Sequence, residues 1–334
     1  MSAADQPAVG AVVVAHNSIR DIGECLTSLE AQSHPIRTIV VVDNGSMDGT
    51  ADLVERDYQS ILLIRTTNIG FAAGNNLGIR HLSADWILTL NPDAKLAPDW
   101  IRHLLDFAAD HPRAGALGGV LLRWDDAGDE VVDSTGIEIF ASRRVRDRHF
   151  GALRSGLPNE PGRVFGICAA AALYRRETLE ETAVPDGIFP ERFFSYYEDA
   201  DLAWRIWRHN REAWFVPTAV GWHRRGGSSS SSHFSRYLTH RNRYYLIARN
   251  DRWRDIFPHI GPILLHELVM LLRMIRHPLL IKAVVEVLAS AKILTRERRE
   301  FLPEVSPPFQ RGIGFSATSW QSAILARQKN HRLR

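Results

Sequence analysis

The chain has 334 residues, 45% hydrophobic and 24% charged, with a formal net charge of +3. That is the balance of a soluble globular protein, long enough for one large domain or a domain with an appendage. Its two cysteines, Cys25 and Cys168, stand far apart with no CxxC, which excludes a disulfide framework and a cysteine-rich metal site and points to a reducing compartment.

Charge is unevenly spread. Residues 251–334 hold 14 Lys/Arg against 7 Asp/Glu, a net of +7, and the remainder nets −4. A basic end on a mildly acidic body predicts an anionic surface as partner. Without a zinc finger, an RNP motif or a helix-turn-helix, nucleic acid is not the expected one. The start, Met1 to Pro7, has neither a basic n-region nor an apolar h-region, so no signal peptide is expected.

Val9 to Ala15 is a near-continuous apolar run, as in a strand buried on both faces. It ends at His16-Asn17-Ser18, and Asp21 to Ser33 follows with Ile22, Leu26 and Leu29 at helical spacing. Thr38 to Val42 is a second strand, ending in Asp43-Asn44-Gly45-Ser46-Met47-Asp48-Gly49-Thr50 before a helix from about Ala51. Ser60 to Arg65 is a third, ending at Asn68-Ile69-Gly70-Phe71-Ala72-Ala73-Gly74-Asn75-Asn76, with a helix through Leu82. Trp86 to Leu90 is a fourth, stopped by Asn91-Pro92-Asp93 because proline cannot donate to a sheet ladder.

Strand and helix alternate throughout, which calls for a parallel sheet with helices on both faces. All four polar loops then fall at one sheet edge, where Asn17, Asp43, Asn68 and Asp93 would line one crevice. No glycine fingerprint follows the first strand and no Walker loop occurs, so a dinucleotide fold is disfavoured. Asp43 and Asn44 suit a ribose or base edge. Asp93 suits a divalent cation holding a diphosphate, although Asn-Pro-Asp is also ordinary turn chemistry.

Gly115 to Leu122 reads as a further strand, and Arg123 to Arg163 as an irregular excursion containing strand-like Gly136 to Phe140. Phe165 to Tyr174 is apolar, and its small residues, Gly166 among them, allow close approach of another group. Phe193-Phe194-Ser195-Tyr196-Tyr197 then leads into Glu198-Asp199-Ala200-Asp201, three carboxylates at a helix start. Trp214 to Val220 is a strand, followed by His223 and a glycine- and serine-rich loop, Gly226 to Ser232. Trp204 and Trp207 read as core. Gly261 to Ile275 and Pro278 to Leu294 are apolar helices split by Arg276-His277-Pro278 and broken by His266, Glu267, Arg273, Lys282, Glu286 and Lys292. They read as too interrupted to cross a bilayer, and either pack on the body or lie in a membrane interface. The end, from about Pro303, reads as a loose basic tail. No internal repeats occur.

From Val9 to Asn250, about three quarters of the chain, these segments resemble the family 2 glycosyltransferases of the GT-A fold, most of all the bacterial rhamnosyltransferase-like branch. The motifs that carry it are Asp-Asn-Gly-Ser-x-Asp-Gly-Thr, Asn-x-Gly-Phe-x-x-Gly-Asn-Asn, Asn-Pro-Asp, Glu-Asp-x-Asp-Leu-x-x-Arg and the later His, in that order. The resemblance implies a mainly parallel Rossmann-like sheet flanked by helices: a GT-A domain over 1–250, with a nucleotide-sugar half about 9–125 and an acceptor half about 126–250. A helical hairpin over 251–302 and the tail over 303–334 would be appended to it.

It also implies roles. Asn17, Asp43, Asn44, Asn68, Gly70, Phe71, Gly74, Asn75 and Asn91 would shape the nucleotide-sugar site, and Asp93 with His223 would hold Mg2+ or Mn2+. Asn91 stands where many members carry a first aspartate, which leaves one strong charge for the metal. Asp199 would be the catalytic base with Glu198 beside it, and Phe194, Tyr196 and Gly166 would meet the acceptor. The implied reaction inverts the sugar of a nucleoside-diphosphate donor, dTDP-rhamnose-like or a UDP-sugar, on a glycan or lipid-linked glycan. The alternative is a GT-A-fold protein that binds or scaffolds without turnover. The expected location is cytoplasmic, with attachment to the cytoplasmic face of the inner membrane and homo-oligomerisation left open.

Overall fold

The structure is a computed structural model describing residues 6–124, 130–225, 233–274, 279–301, 307 and 309–310. The expected Gly226–Ser232 loop, the Arg276-His277-Pro278 break and most of the tail lie outside the described residues. The first half alternates as its sequence predicts: β1 (Val9–Ala15), α1 (Ile22–Glu30), β2 (Ile36–Asn44), α2 (Thr50–Asp57), β3 (Leu62–Thr66), α3 (Phe71–Ile79) and β4 (Trp86–Leu90). These strands pair in parallel in the order β3-β2-β1-β4. Register aligns their ends, with Ala15 opposite Asp43 and Asn44 opposite Thr66, so the loops that follow share one edge.

The apolar runs are buried on both faces. Val9, Ala11 and Val13 pack towards Ile22, Leu26 and Leu29 of α1, together with Trp100 and Leu104 of α4 (Trp100–Ala109). Val12 and Val14 pack towards α3 and the later helix α6 (Glu198–Arg208). Burial of both faces is what allows alternate residues to be equally apolar.

Beyond β4 the pattern changes. A short strand, β5 (Ala94–Leu96), follows Asn-Pro-Asp, then α4 and β6 (Ala114–Arg123). The excursion holds β7 (Val132–Ser134), a two-stranded hairpin of β8 (Ile137–Ile139) and β9 (Val145–Asp147), and β10 (Gly162–Val164). β11 (Ala171–Arg175) begins near the end of the apolar Phe165–Tyr174 segment and runs antiparallel between β4 and β6. After α5 (Arg176–Glu181) and α6, β12 (Glu212–His223) runs parallel to β6 and extends through His223. The sheet order is β10-β12-β6-β11-β4-β1-β2-β3, so β1 to β4 pair in parallel and the rest of the sheet is mixed.

The C-terminal part comprises α7 (His233–Asn250), α8 (Trp253–Ile256), α9 (Ile260–Met274) and α10 (Leu279–Phe301). Helix α7 does not stand out in the sequence, because its polar residues are buried by pairing rather than by a clean apolar stripe. Ion pairs and hydrogen bonds cross the 250/251 boundary: Arg143 to Asp251 at 2.6 Å, Arg249 to Glu297, and Tyr237 to Glu286. One expectation needs correcting. Trp253–Leu272 forms a continuous helical stretch of 20 residues, long and apolar enough by composition to cross a membrane. The tail is not loose at Phe309 and Gln310: Phe309 lies under Arg143, and Gln310 exchanges backbone hydrogen bonds with Ile139 and Ala141.

Candidate active site

Short strand β5 brings the site together. It pairs antiparallel with β12, placing Ala94 opposite His223, and the Arg224 backbone N–H donates to the Asp93 carbonyl at 2.9 Å. A histidine 130 residues away is thereby set beside the Asn-Pro-Asp tip. His223 Nε2 lies 3.2 Å from Asp93 Oδ1, and its Nδ1 lies 2.9 Å from Asp133 Oδ2. Asp133 is fully buried on β7, and its other oxygen meets Arg225 Nε at 2.6 Å. Arg225 also pairs with Asp147. The hydrogen bonds from Asp93 and Asp133 outweigh burial and raise His223 to about 9, so near neutrality it is an imidazolium donating from both nitrogens. Burial pushes Asp93 upward, but its hydrogen bond and ion pair with His223 hold it below the usual carboxylate range.

Asn91 lies beside this cluster, its Nδ2 3.4 Å from His223 Nε2, and its Oδ1 is buried without a partner. An orphaned amide oxygen next to an aspartate is a pair of oxygen ligands that would fit a hard cation. Among the described residues, no group of three or more His, Cys, Asp or Glu is disposed to hold a metal by itself.

On the nucleotide side, Asp43 is buried at the tip of β2, with Oδ1 unpartnered and Oδ2 3.4 Å from the Ser46 N–H. Asn17 takes a left-handed conformation (φ 50°) and accepts from the Met47 N–H at 2.8 Å. Asn44 donates to Asn68 at 3.2 Å and accepts from the Ile69 N–H at 2.9 Å, fixing the third loop against the second. Asp48 ties Thr50 and the Ile19 N–H, a local loop clasp. Gly74 and Asn75 are not brought into the crevice. A side chain at Gly74 would meet Val14 at 2.7 Å, and buried Asn75 donates to the Phe71 carbonyl within α3. Phe71 is half-buried against the core.

Gly70 joins the two halves. Its φ is 90°, and an added Cβ would lie 2.5 Å from the Phe194 ring, so only glycine permits this approach. The Ala72 N–H donates to the Phe194 carbonyl at 3.1 Å. Phe194, Tyr196 and Tyr197 all have positive φ, 64°, 71° and 72°, a strained run that must be held by its surroundings. Asn242 of α7 does so: its buried amide Nδ2 reaches the carbonyls of Phe193, Ser195 and Tyr196 at 2.7–2.9 Å. Gly166 is packed against Ala203 of α6, where a Cβ would lie 2.3 Å away, so it supports α6 rather than facing open space.

The strained run delivers the carboxylates. Asp199 is half-buried and accepts from the Ala200 N–H at 2.7 Å and the Ala169 N–H at 3.4 Å. Burial and the neighbouring Asp147 charge lift it to about 6. Glu198 is buried with Oε2 unpartnered, and burial followed by the Asp199 charge pushes it well upward. Burial thus raises both adjacent carboxyls, and the Asp199 charge adds to the rise at Glu198. Asp201 is fully buried among Arg205, Arg249 and Asn250, at 2.9, 3.1 and 2.7 Å, and is structural.

Reading the sequence missed Asp133, Asp147, Arg225 and Asn242.

The glycosyl transferase family 2 model matches residues 11–182. An N-acetylglucosaminyl-diphospho-decaprenol L-rhamnosyltransferase of Mycobacterium tuberculosis (strain ATCC 25618 / H37Rv) is 27% identical over 262 residues, covering 68% of this chain and 80% of that protein. Among solved structures, mannosyltransferase PcManGT from Pyrobaculum calidifontis with GDP-Man and Mn2+ superposes with a TM-score of 0.52 at 19% identity, over 99% of this chain and 82% of that one. GalNAc-T7 with UDP, GalNAc and Mn2+ gives 0.57 at 14% identity over 73% of this chain, which spans about half (48%) of that protein.

Proposed function

The chain belongs to glycosyl transferase family 2 and has the GT-A fold, and on that premise we propose that it transfers a rhamnose-like sugar, with inversion, from a pyrimidine nucleoside diphosphate to a hydroxyl of a lipid-linked N-acetylglucosamine glycan. The acceptor class comes from the lipid-linked acceptor in the mycobacterial relative's name. Such an acceptor would be met at a membrane surface.

One observation carries the reading: Asp93, His223, Asp133, Arg225 and Asp147 form one ion chain, and the charge of Asp147 at its end, with burial, raises the Asp199 carboxyl to about 6. The nucleoside would lie over Asp43, whose orphaned oxygen takes a ribose hydroxyl or base N–H. Asp93 and Asn91 would hold Mg2+ or Mn2+, with His223 as a further ligand once it gives up its proton. Bound there, the ion supplies Lewis-acid charge to the diphosphate. The acceptor oxygen bonds to the anomeric carbon as its proton passes to Asp199. The bond from that carbon to the diphosphate oxygen breaks, and its electron pair leaves with the diphosphate. Arg225 would keep positive charge beside the departing group.

The test is a donor panel, dTDP-rhamnose and UDP-sugars, with polyprenyl-diphosphate-linked N-acetylglucosamine. Sugar transfer from a pyrimidine nucleotide donor is expected. No transfer and no metal-dependent donor hydrolysis with any of them overturns the reading.

A further inference from the structure

The C-terminal helices turn an unusually apolar face outward. Trp253, Phe257, Ile260, Leu264, Leu268 and Leu271 are all exposed and recur at spacings of three and four, so they form one stripe along α8 and α9. Ile281, Val285 and Leu288 repeat the pattern on α10. Isolated exposed leucines need no explanation, but a contiguous stripe of this length marks an interaction surface.

The opposite side of the same helices is committed to the body. On α9, Glu267 takes Arg243 Nη1 at 2.6 Å and the Tyr244 hydroxyl, and His266 is buried. On α10, Glu297 takes Arg192 at 2.9 Å as well as Arg249, while Ala283 and Leu294 are buried. Crossing a bilayer would place the ionised groups of that inner side in hydrocarbon. Its length alone would let Trp253–Leu272 span; its polar attachments to α7 make it lie flat.

Charge selects what covers the outer face. Residues 251–334 net +7 on a body that nets −4, and residues 311–334 contain five Lys/Arg and no Asp/Glu. Trp253 and Phe257 lie at one end of the stripe, where aromatic residues sit at a membrane–water boundary. We propose that the outer face of α8, α9 and α10 docks flat on an anionic phospholipid bilayer.

The docked face abuts the acceptor wall. Ala283 of α10 packs with Tyr237 and Leu238 of α7 and with Phe194 and Tyr196. Half-exposed Phe234 stacks on Tyr237 and meets Phe194 edge-on, with centroids 6.0 and 5.8 Å apart. Phe194 and Tyr196 lead along the chain into Glu198 and Asp199, and an acceptor held by its lipid would reach Asp199 past them. This last step rests on the lipid-linked acceptor proposed above; the docking itself does not.

The experiment is flotation of the full chain with vesicles of phosphatidylcholine alone or mixed with phosphatidylglycerol, alongside Leu264→Gln/Leu268→Gln. Both leucines are exposed, so the variant keeps the core and the site. The wild type should float with the anionic vesicles, less so at high salt. The variant should bind them at least about tenfold more weakly while donor hydrolysis is unchanged. A wild-type chain that ignores anionic vesicles at low salt overturns the proposal, as does a variant that binds them equally well. So does a wild-type oligomer that the variant converts to monomer, which would make the face a contact between copies of the chain. Vesicle binding without any sugar transfer would leave the docking intact and count against the catalytic reading alone.

Discussion

The two halves of the crevice are built in different ways. The half proposed for the nucleotide comes from consecutive strand–loop–helix units, each supplying its own tip, and its polar contacts are short clasps such as Asn44 to Asn68 and Asp48 to Thr50. The half proposed for the acceptor draws on β7, β9, α6, α7 and β12, and holds its groups with buried ions: Asp133, Arg143, Asp201, Arg205, Arg249 and Asp251. The first construction leaves acceptor atoms unpartnered for a ligand, as at Asp43 and Asn91. The second sets protonation states, because charges fixed in a medium of low polarity act strongly on one another. Binding and proton transfer should therefore be separable by mutation.

The largest effect expected on that basis is at Asp199. Asp199→Asn keeps size and polarity but removes the proposed base, so transfer should fall about 10²–10⁴-fold. Nucleotide affinity, read by calorimetry, should stay near wild type because the donor contacts lie on the other half. A matching loss of affinity would erase the distinction. Next is the integrity of the acceptor half. Arg143 and Asp251 are both fully buried, and the guanidinium also serves the Ala141 and Asp255 carbonyls at 2.7 Å. Asp251→Asn leaves that charge uncompensated and should cost about 3–5 kcal/mol of stability, seen as a lower urea midpoint. Smaller again is Asp43→Ala. Removing a charged acceptor from a nucleoside contact should weaken nucleotide binding roughly 10–100-fold and leave the Asp199-dependent pH profile of transfer unmoved.

The same contrast explains what the sequence could tell. Apolar runs ending in Asn17, Asp43, Asn68 and Asp93 reveal strand tips because period and punctuation are local. Gly74 and Asn75 were grouped with them by motif, and only packing against Val14 and Phe71 shows that they support α3. Asp133 and Asp147 sit in an excursion with no periodicity, and their meaning depends on Arg225, more than seventy residues away. Asn242 lies in a helix whose hydrophobic face is weak, and its task of satisfying three carbonyls exists only once the Phe193–Tyr197 run is strained. Long-range polar pairing leaves no pattern in a single chain, whereas hydrophobic alternation does.

The finest effect concerns the charge that faces the base. Asp199 sees Glu198 from its own helix, Asp147 from β9, Cys168 and Tyr174 from the segment around β11, and Tyr197 from the strained run. Of these, Asp147 is the charged neighbour that raises Asp199, and Arg225 offsets it by direct pairing. A base works only when deprotonated, so transfer should rise with pH through the Asp199 value of about 6. Asp147→Asn removes a negative neighbour, makes the Asp199 carboxylate easier to form, and should move the acidic limb down by about one pH unit or less. Arg225→Gln leaves Asp147 bare and should move that limb up, besides loosening Asp133 and His223. General damage to the fold would lower rates at every pH without shifting the limb in opposite directions. The measurement is kcat/KM against pH for the three proteins, and parallel profiles with a common limb would show that the acceptor-side ions do not tune the base.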